Sequence, residues 1–419
     1  ESLKLRRASC WGGAGGYVLP IDGGLSAYEY FAEAIIPLVE GQPFADSLDV
    51  ELGYRYADYD PAGGTDSWKY GLSWAPIEGL RFRAMQQRAV RAPNVGEIAA
   101  PQVTELDSAF RDPCSVANAG NIDAALTALC ISTGMTAAQV GVVGEIVSGQ
   151  INVFNGTDLN APVTPETADT TTFGVVWTPD VSSWFGGVIT NPQLTVDYYN
   201  IKIEDYIEGP PPQDVLDACY VQGDTEQCDN IVRVGGSLVL DGSGVQTFTQ
   251  NLDYIQAEGI EIGAGFGVDL GGLGSLDVSF NANHYLTQEF HSFEVLDVVE
   301  CVGQYSASCG SNFGTPTPET RWIQRTTWNL PFMDNAFQVG YLWRHTSEVT
   351  SGYEYDNNPE TIVFPYFATI PAYGYFDLVG TWQVNDAVRL TGSVTNVLDE
   401  DPPVVGNEAA DVASNSLNT

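Results

Sequence analysis

Residues 47–59 read SLDVELGYRYADY, with Leu48, Val50, Leu52, Tyr54 and Tyr56 on one parity and Ser47, Asp49, Glu51 and Arg55 on the other. Successive side chains of an extended chain point to opposite sides, so this segment is a strand with one apolar and one polar face. What surrounds the apolar face decides the fold. The pattern recurs in Trp68, Tyr70, Leu72, Trp74 and in Phe337, Val339, Tyr341, Trp343. Along the whole chain it predicts about thirteen strands. They fall near 2–9, 27–40, 47–59, 67–75, 80–90, 167–178, 193–205, 251–269, 275–288, 320–330, 336–346, 371–383 and 387–397.

The connections alternate in length. Those at 41–46, 75–79, 269–274, 331–335 and 384–386 are short and that at 178–192 somewhat longer, whereas those at 9–26, 60–66, 91–166, 206–250, 289–319 and 347–370 are mostly long. In an up-and-down antiparallel sheet alternate connections lie at opposite ends, so one end carries tight turns and the other large loops. Six of the seven cysteines form three close pairs, Cys114 with Cys130, Cys219 with Cys228 and Cys301 with Cys309, and every pair falls in a long connection; Cys10 is left over. Local pairs suit disulfides made outside the cytosol. Zinc is disfavoured, because no pair has CxxC spacing and His284, His291 and His345 are mostly remote from them. The loops are acidic: Glu208, Asp214, Asp217, Asp224, Glu226, Asp229 and Asp241 face Arg233 alone between 206 and 250.

A balance of 54 Asp and Glu against 16 Lys and Arg excludes nucleic acid as a natural partner, since phosphate binding draws on clustered cations. No apolar run approaches the roughly 20 residues of a spanning helix. A soluble sandwich also alternates, but here the apolar face is rich in aromatics and the strands run about 9–13 residues, enough to cross a bilayer at a tilt. The predicted fold class is all-β: a transmembrane antiparallel up-and-down β-barrel with long extracellular loops carrying short helices. Loop helices are expected at 121–130, capped by Asn121, and at 136–143. At Tyr198, Tyr199 and Asn200 the apolar parity changes, through a β-bulge or because the lipid-facing zone ends there.

Four phrases, RFRAMQQRAVRAPNVGEI (81–98), TPETADTTTFGVVWTPD (164–180), LTVDYYNIKIEDYI (194–207) and GSVTNVLDEDPP (392–403), resemble in order and spacing the barrel of TonB-dependent outer-membrane receptors. The segment DVLDACYVQGDTEQCDNIVR (214–233) is similar to a loop of one large branch of that family. The resemblance spans about residues 27–403. It implies a 22-stranded barrel filled by an N-terminal plug, with a TonB-box peptide pulled by TonB, ExbB and ExbD. No plug, TonB box or closing aromatic-terminated strand is recognisable, and the start, ESLKLRRASCWGG, has no signal-peptide core. Residues 1–419 are therefore expected to be a partial barrel domain, a fragment with about thirteen strands and the plug absent.

What the resemblance implies is an outer-membrane importer in a Gram-negative bacterium, monomeric, set among lipid and lipopolysaccharide, and taking a small-molecule or oligosaccharide ligand such as a ferric siderophore or cobalamin. Arg88, Arg91, Asn94 and Glu97 match a family motif that could line the ligand path; the alternative is a strand end in which Arg88 or Arg91 pairs with Glu166 or Asp169. Loop aromatics, with Tyr220, Phe248, Tyr305, Tyr353 and Tyr355 as ligand-binding candidates beside Phe290, Phe293 and Tyr366, could stack on a ligand or pack on each other. Asp224, Glu226 and Asp229 are possible calcium ligands without EF-hand spacing, and acidic solvated loops are common. Neither GxSxG nor HExxH occurs, so no enzymatic activity and no cofactor is expected. A surface adhesin is the competing function, and a secreted soluble β protein a third.

Overall fold

The computed structural model describes residues 19–107, 109, 111–146, 151–181, 184–305, 309, 316–332, 336–351 and 369–403. Twelve strands run up and down in chain order: β1 (Ser26–Gln42), β2 (Ala45–Asp60), β3 (Gly63–Ile77), β4 (Leu80–Arg91), β5 (Glu166–Trp177), β6 (Ile189–Glu208), β7 (Gln250–Asp269), β8 (Ser275–His291), β9 (Thr320–Leu330), β10 (Phe337–Thr346), β11 (Tyr373–Asn385) and β12 (Val388–Val394). Each pairs with the next, and Val299–Glu300 joins the end of β8 to complete a thirteen-stranded antiparallel sheet. The strand expected at 2–9 lies outside the described residues. The other twelve are present.

Several are longer than expected, while Val388–Val394 is shorter. β6 and β7 each have 20 residues, twice what a tilted strand needs to cross hydrocarbon, so their upper parts stand clear of it. The connection at 60–66 is a correction: β2 and β3 meet through Pro61 and Ala62, with Gly63 opposite Tyr59 and Gly64 opposite Asp58. Pro and Gly punctuate sequences, but Gly64 here lies within the ladder, its missing Cβ leaving room for the Tyr56 hydroxyl, which a Cβ would meet at 2.7 Å.

Register fixes the faces. Ile36, Val50, Leu72, Ala84, Phe173, Tyr198 and Ile260 lie opposite one another across seven strands, forming one apolar row of the outer face. Near the short turns that face carries Trp74 and Trp328, outward-facing rings whose indole N–H groups donate to the Phe44 and Leu273 carbonyls at 2.9 Å, an apolar body with a polar handle typical of a membrane interface. At Tyr198–Asn200 the pairing with both β5 and β7 is unbroken. The change of parity is thus the upper limit of the apolar zone, where the outer row becomes Asn200, Lys202 and Glu204, and no bulge is involved. Beside β7 the register shifts place the extra residue on its partners, on β8 opposite Glu258/Gly259 and on β6 opposite Gly265/Gly267, and further shifts occur at Pro37/Val39, Trp74/Ile77 and Gln383/Asn385.

At the long-loop end sit α1 (Val95–Ala99), α2 (Ala124–Ser132), α3 (Pro212–Tyr220) and α4 (Thr225–Cys228). The cap of α2 is Asp123, whose carboxylate accepts from the Leu126 N–H at 2.8 Å; Asn121 turns instead to Asn118. Residues 136–143 are turns, not a helix: the Gln139 side chain accepts from the Thr136 N–H and hydroxyl, and Gly141 has φ +72°. All three expected disulfides are present.

The loops do not stand apart. Val103–Asp107, Ile151–Asn155, Gly244–Gln246 and Ile231–Val232 form one sheet in which strands from the 92–165 and 209–249 loops pair in parallel. Beneath it a single apolar core gathers Cys114, Cys130, Ile151, Val153, Val215, Leu216, Cys219, Val245 and their neighbours. A second, three-stranded sheet joins Gln304–Tyr305, Val349–Ser351 and Thr369–Ile370. Because Cys219–Cys228 closes a loop of sequence separation 9 within that core, its removal is expected to cost about 2.5 kcal/mol by the chain-entropy relation. Limited proteolysis with and without reductant checks this: cleavage should quicken between 206 and 250, while β1–β8 persist.

Candidate functional site

The inner face of the sheet is polar and its charges are matched across strands. Arg55 meets Glu29 at 2.5 Å, Lys69 meets Glu51 at 2.7 Å and Glu33 at 3.2 Å, and Arg344 meets Asp377 at 2.9 Å. Arg83 grips Asp197 with two bonds, Nε to Oδ1 at 2.9 Å and Nη2 to Oδ2 at 2.7 Å. Gly174 lies between them on β5, where a Cβ would come within 1.8 Å of the Asp197 carboxylate. Toward the short turns this face borders a half-open hollow of about 1050 Å³, lined by Asp49, Glu51, Arg81, Arg83, Asp197 and Glu261. A charged side chain facing lipid would be costly, and one facing a lumen is not.

The motif at the top of β4 divides in two. Arg91 lies opposite Glu166 on the inner face and binds it through Nε at 2.6 Å and Nη2 at 2.9 Å; its Nη1 donates to Glu97 at 3.0 Å. Glu97 also accepts from the Asn94 N–H at 2.7 Å, while the Asn94 side chain accepts from the Glu97 N–H at 3.1 Å, a capping box that starts α1. Glu166 accepts in addition from the Ile207 N–H at 3.0 Å, so one knot holds the end of β4, the start of β5 and the top of β6. Arg88 is three residues from Arg91 and therefore on the opposite face. It is bidentate to Asp169 at 2.8 and 2.6 Å, its guanidinium 5.9 Å from the Trp68 ring. Asn94→Ala removes one arm of the capping box and is expected to cost about 1 kcal/mol locally. Hydrogen exchange of residues 95–99 would read the loss directly.

The aromatic candidates fall in different places. Tyr220 is buried in the core of the joined loops, where burial pushes its hydroxyl pKa up. Arg233 Nε donates to that hydroxyl at 3.0 Å, the hydroxyl to Thr133 Oγ1 at 2.7 Å, and Thr133 to the Cys130 carbonyl at 3.0 Å. Tyr305 is 1% exposed, packed with Val349 and Ile370. Phe290 is buried against Tyr206, and Phe293 packs against both neighbouring clusters. In this conformation these rings offer a ligand little surface. Phe248 is half-buried; Tyr353, Tyr355 and Tyr366 lie outside the described residues. Asp224 serves as the N-cap of α4, accepting from the Glu226 N–H at 3.0 Å, and among the described residues no cluster of His, Cys, Asp and Glu is arranged for a metal.

One feature gave no signal by spacing. Arg233, 0% exposed in its side chain, forms two 2.7 Å bonds to Asp112, which is 121 residues away in the other loop. Asp112 is fixed in turn by the Cys114 N–H at 2.9 Å, and its own N–H donates to Glu145 at 2.6 Å.

An antiparallel meander with an apolar, Trp-bearing outside, a charge-paired inside and knitted loops at one end is the architecture of an outer-membrane barrel. The chain belongs to the family described as TonB-dependent receptor-like β-barrels, whose model matches residues 7–397. Among solved structures it is similar to a mutant of the ferric enterobactin receptor PfeA from Pseudomonas aeruginosa in complex with enterobactin, at 15% identity and a TM-score of 0.57, covering 93% of this chain and 42% of that one. It is also similar to the siderophore receptor PirA from Acinetobacter baumannii, at 13% identity and a TM-score of 0.51, covering 91% and 43%. The chain thus spans about two fifths of the length of these structures. No curated protein matches the sequence.

Proposed function

We propose that the chain forms part of an outer-membrane receptor that captures a scarce, bulky nutrient at its loop end and passes it along the polar inner face. The observation that carries this reading is the chemical contrast of the two faces, lipid-compatible outside and hydrophilic within. TonB with ExbB and ExbD would supply the work, through a plug and TonB box not recognised in this chain. The receptor acts as a monomer among lipid and lipopolysaccharide, and performs no catalysis. A ferric siderophore is the ligand class to test first, because PfeA and PirA share the fold; cobalamin and an oligosaccharide are the others. Phe248 and the Arg91–Asn94–Glu97 knot are the described residues we would place nearest the ligand path.

Uptake of iron-labelled siderophore by cells starved of iron, with and without the gene and with and without TonB, tests the proposal. Uptake that needs both genes supports it. Cell-surface binding that persists without TonB, with no accumulation under any of the three ligand classes, would favour an adhesin.

A further inference from the structure

From β1 to β6 the inner-face cations meet carboxylates, Arg81 excepted, whereas from β9 onward the matching fails. Arg321 and Arg325 on β9, Arg344 on β10 and Arg389 on β12 share the inner face, opposite in parity to Trp322, Trp328, Trp343 and Leu390. Arg344 alone meets an acid, through Nη2 to Asp377 at 2.9 Å, and that carboxylate also accepts from the Asn396 N–H at 2.8 Å. Its Nε has no partner among the described residues. Arg389 donates to the Gln383 side-chain oxygen at 2.6 Å, and Arg321 to the Pro316 carbonyl at 3.4 Å. Arg325 has no hydrogen-bond or ion-pair partner among the described residues. Asp277, the inner-face acid beside them on β8, is taken by Asn329 Nδ2 at 2.6 Å. In a chain with 54 Asp and Glu against 16 Lys and Arg, acids are the default neighbours of an arginine, so a strip of wall without them is an unusual arrangement.

Register sets the spacing. At the rise of an extended chain, Arg321 and Arg325 stand about 13 Å apart along β9, and Ile323 between them lies opposite Arg344. Three guanidinium stems thus surround one exposed apolar side chain. On β11, Tyr375 is opposite Arg344, whose guanidinium is 5.5 Å from the ring centroid, and Tyr373 meets Tyr375 edge-on at 5.7 Å. A guanidinium offers a flat fork of donors that fits two adjacent oxygens sharing a negative charge, and its weak hydration lets it give up water for that contact. Tyrosine rings add flat apolar area with a hydroxyl at the edge. A neutral, hydroxyl-rich ligand gains little from unmatched cations.

We propose that this strip, Arg321, Arg325 and Arg344 with Tyr373 and Tyr375, is the surface on which the receptor recognises an anionic ligand, one carrying carboxylate or catecholate oxygens, as it passes along the inner face. The inference rests on the importer reading and narrows its ligand to the negatively charged class. Asp377 holds Arg344 beside Tyr375 and leaves its other donors for the ligand. The acidic loops do not steer an anion inward, so discrimination falls to contacts on the wall.

Binding of iron(III) chelates to the intact gene product in detergent, followed by quenching of its tryptophan fluorescence, tests this without requiring transport. The probes are a tricatecholate and a citrate chelate, both anionic, and a neutral trihydroxamate chelate. An anionic chelate should bind more tightly than the neutral one. Arg321→Gln and Arg325→Gln should each weaken it roughly tenfold to a hundredfold, the worth of a charge-assisted hydrogen bond, and Arg325→Lys should recover part of the loss. Lys202→Gln removes an equal charge from the outer face and should leave affinity unchanged. Heat-modifiable migration checks that each variant keeps its barrel. Tighter binding of the neutral chelate, or no binding of either anionic one, overturns the proposal, whereas the importer reading stands or falls separately on TonB-dependent uptake. Anion binding that neither arginine variant weakens, or that Lys202→Gln weakens equally, overturns the site. Variants that lose thermal stability at unchanged affinity overturn it in favour of a contact with another part of the receptor.

Discussion

Replacing Asp112 by alanine is expected to unfold the joined loops while the membrane strands remain assembled. The Asp112 and Arg233 side chains are 4% and 0% exposed, and both carboxylate oxygens are engaged. Removing one partner of such a pair strands the other charge out of water, at a cost of about 3–5 kcal/mol. That is most of what a small loop body could hold in reserve. The expected readout is rapid proteolysis within 92–165 and 209–249, in molecules whose barrel still shows heat-modifiable migration on gels. The double replacement Asp112→Leu with Arg233→Met removes both charges and should recover a large part of the loss. Unchanged protease resistance in Asp112→Ala would show that water or another group reaches Arg233.

Leu72→Arg is expected to cost about 1–3 kcal/mol in a bilayer, the depth-dependent penalty of a cation on the lipid-facing side of a strand. Leu72 is 46% exposed on the outer face, between Val50 and Ala84. Thr172→Arg, on the opposite face beside the acidic hollow with Asp197 and Glu261, should be tolerated. The comparison is made by urea unfolding of protein reconstituted in phosphatidylcholine vesicles. If the two substitutions have equal effects, hydrocarbon is not what Leu72 touches, and the membrane assignment fails.

The strands were legible because a period of two is the direct imprint of one wet and one dry face. Their ends were less so. Gly63 and Gly64 read as a break although they continue the β2–β3 ladder, since a glycine's missing side chain can mark a turn or make room for Tyr56. The disulfides were legible from proximity in sequence alone. Asp123 took the cap expected of Asn121 because both residues can accept a backbone hydrogen bond and only the helix start decides between them. Arg88 and Arg91 were read as one cluster, although an odd separation along a strand already puts them on opposite faces. Asp112 and Arg233 were beyond sequence reasoning as a pair. A hint existed, however: a lone arginine among seven acids seldom lacks a partner.

The parallel pairing of Ile151–Asn155 with Gly244–Gln246 has a bearing on how such receptors diversify. Surface segments are the parts that phages, antibodies and competing ligands press to change, and exchange of one segment between relatives is the quickest route. Here a single transplant would break a shared ladder and orphan Arg233 at once. The two segments should therefore be inherited, recombined and engineered together, as one exchangeable cassette.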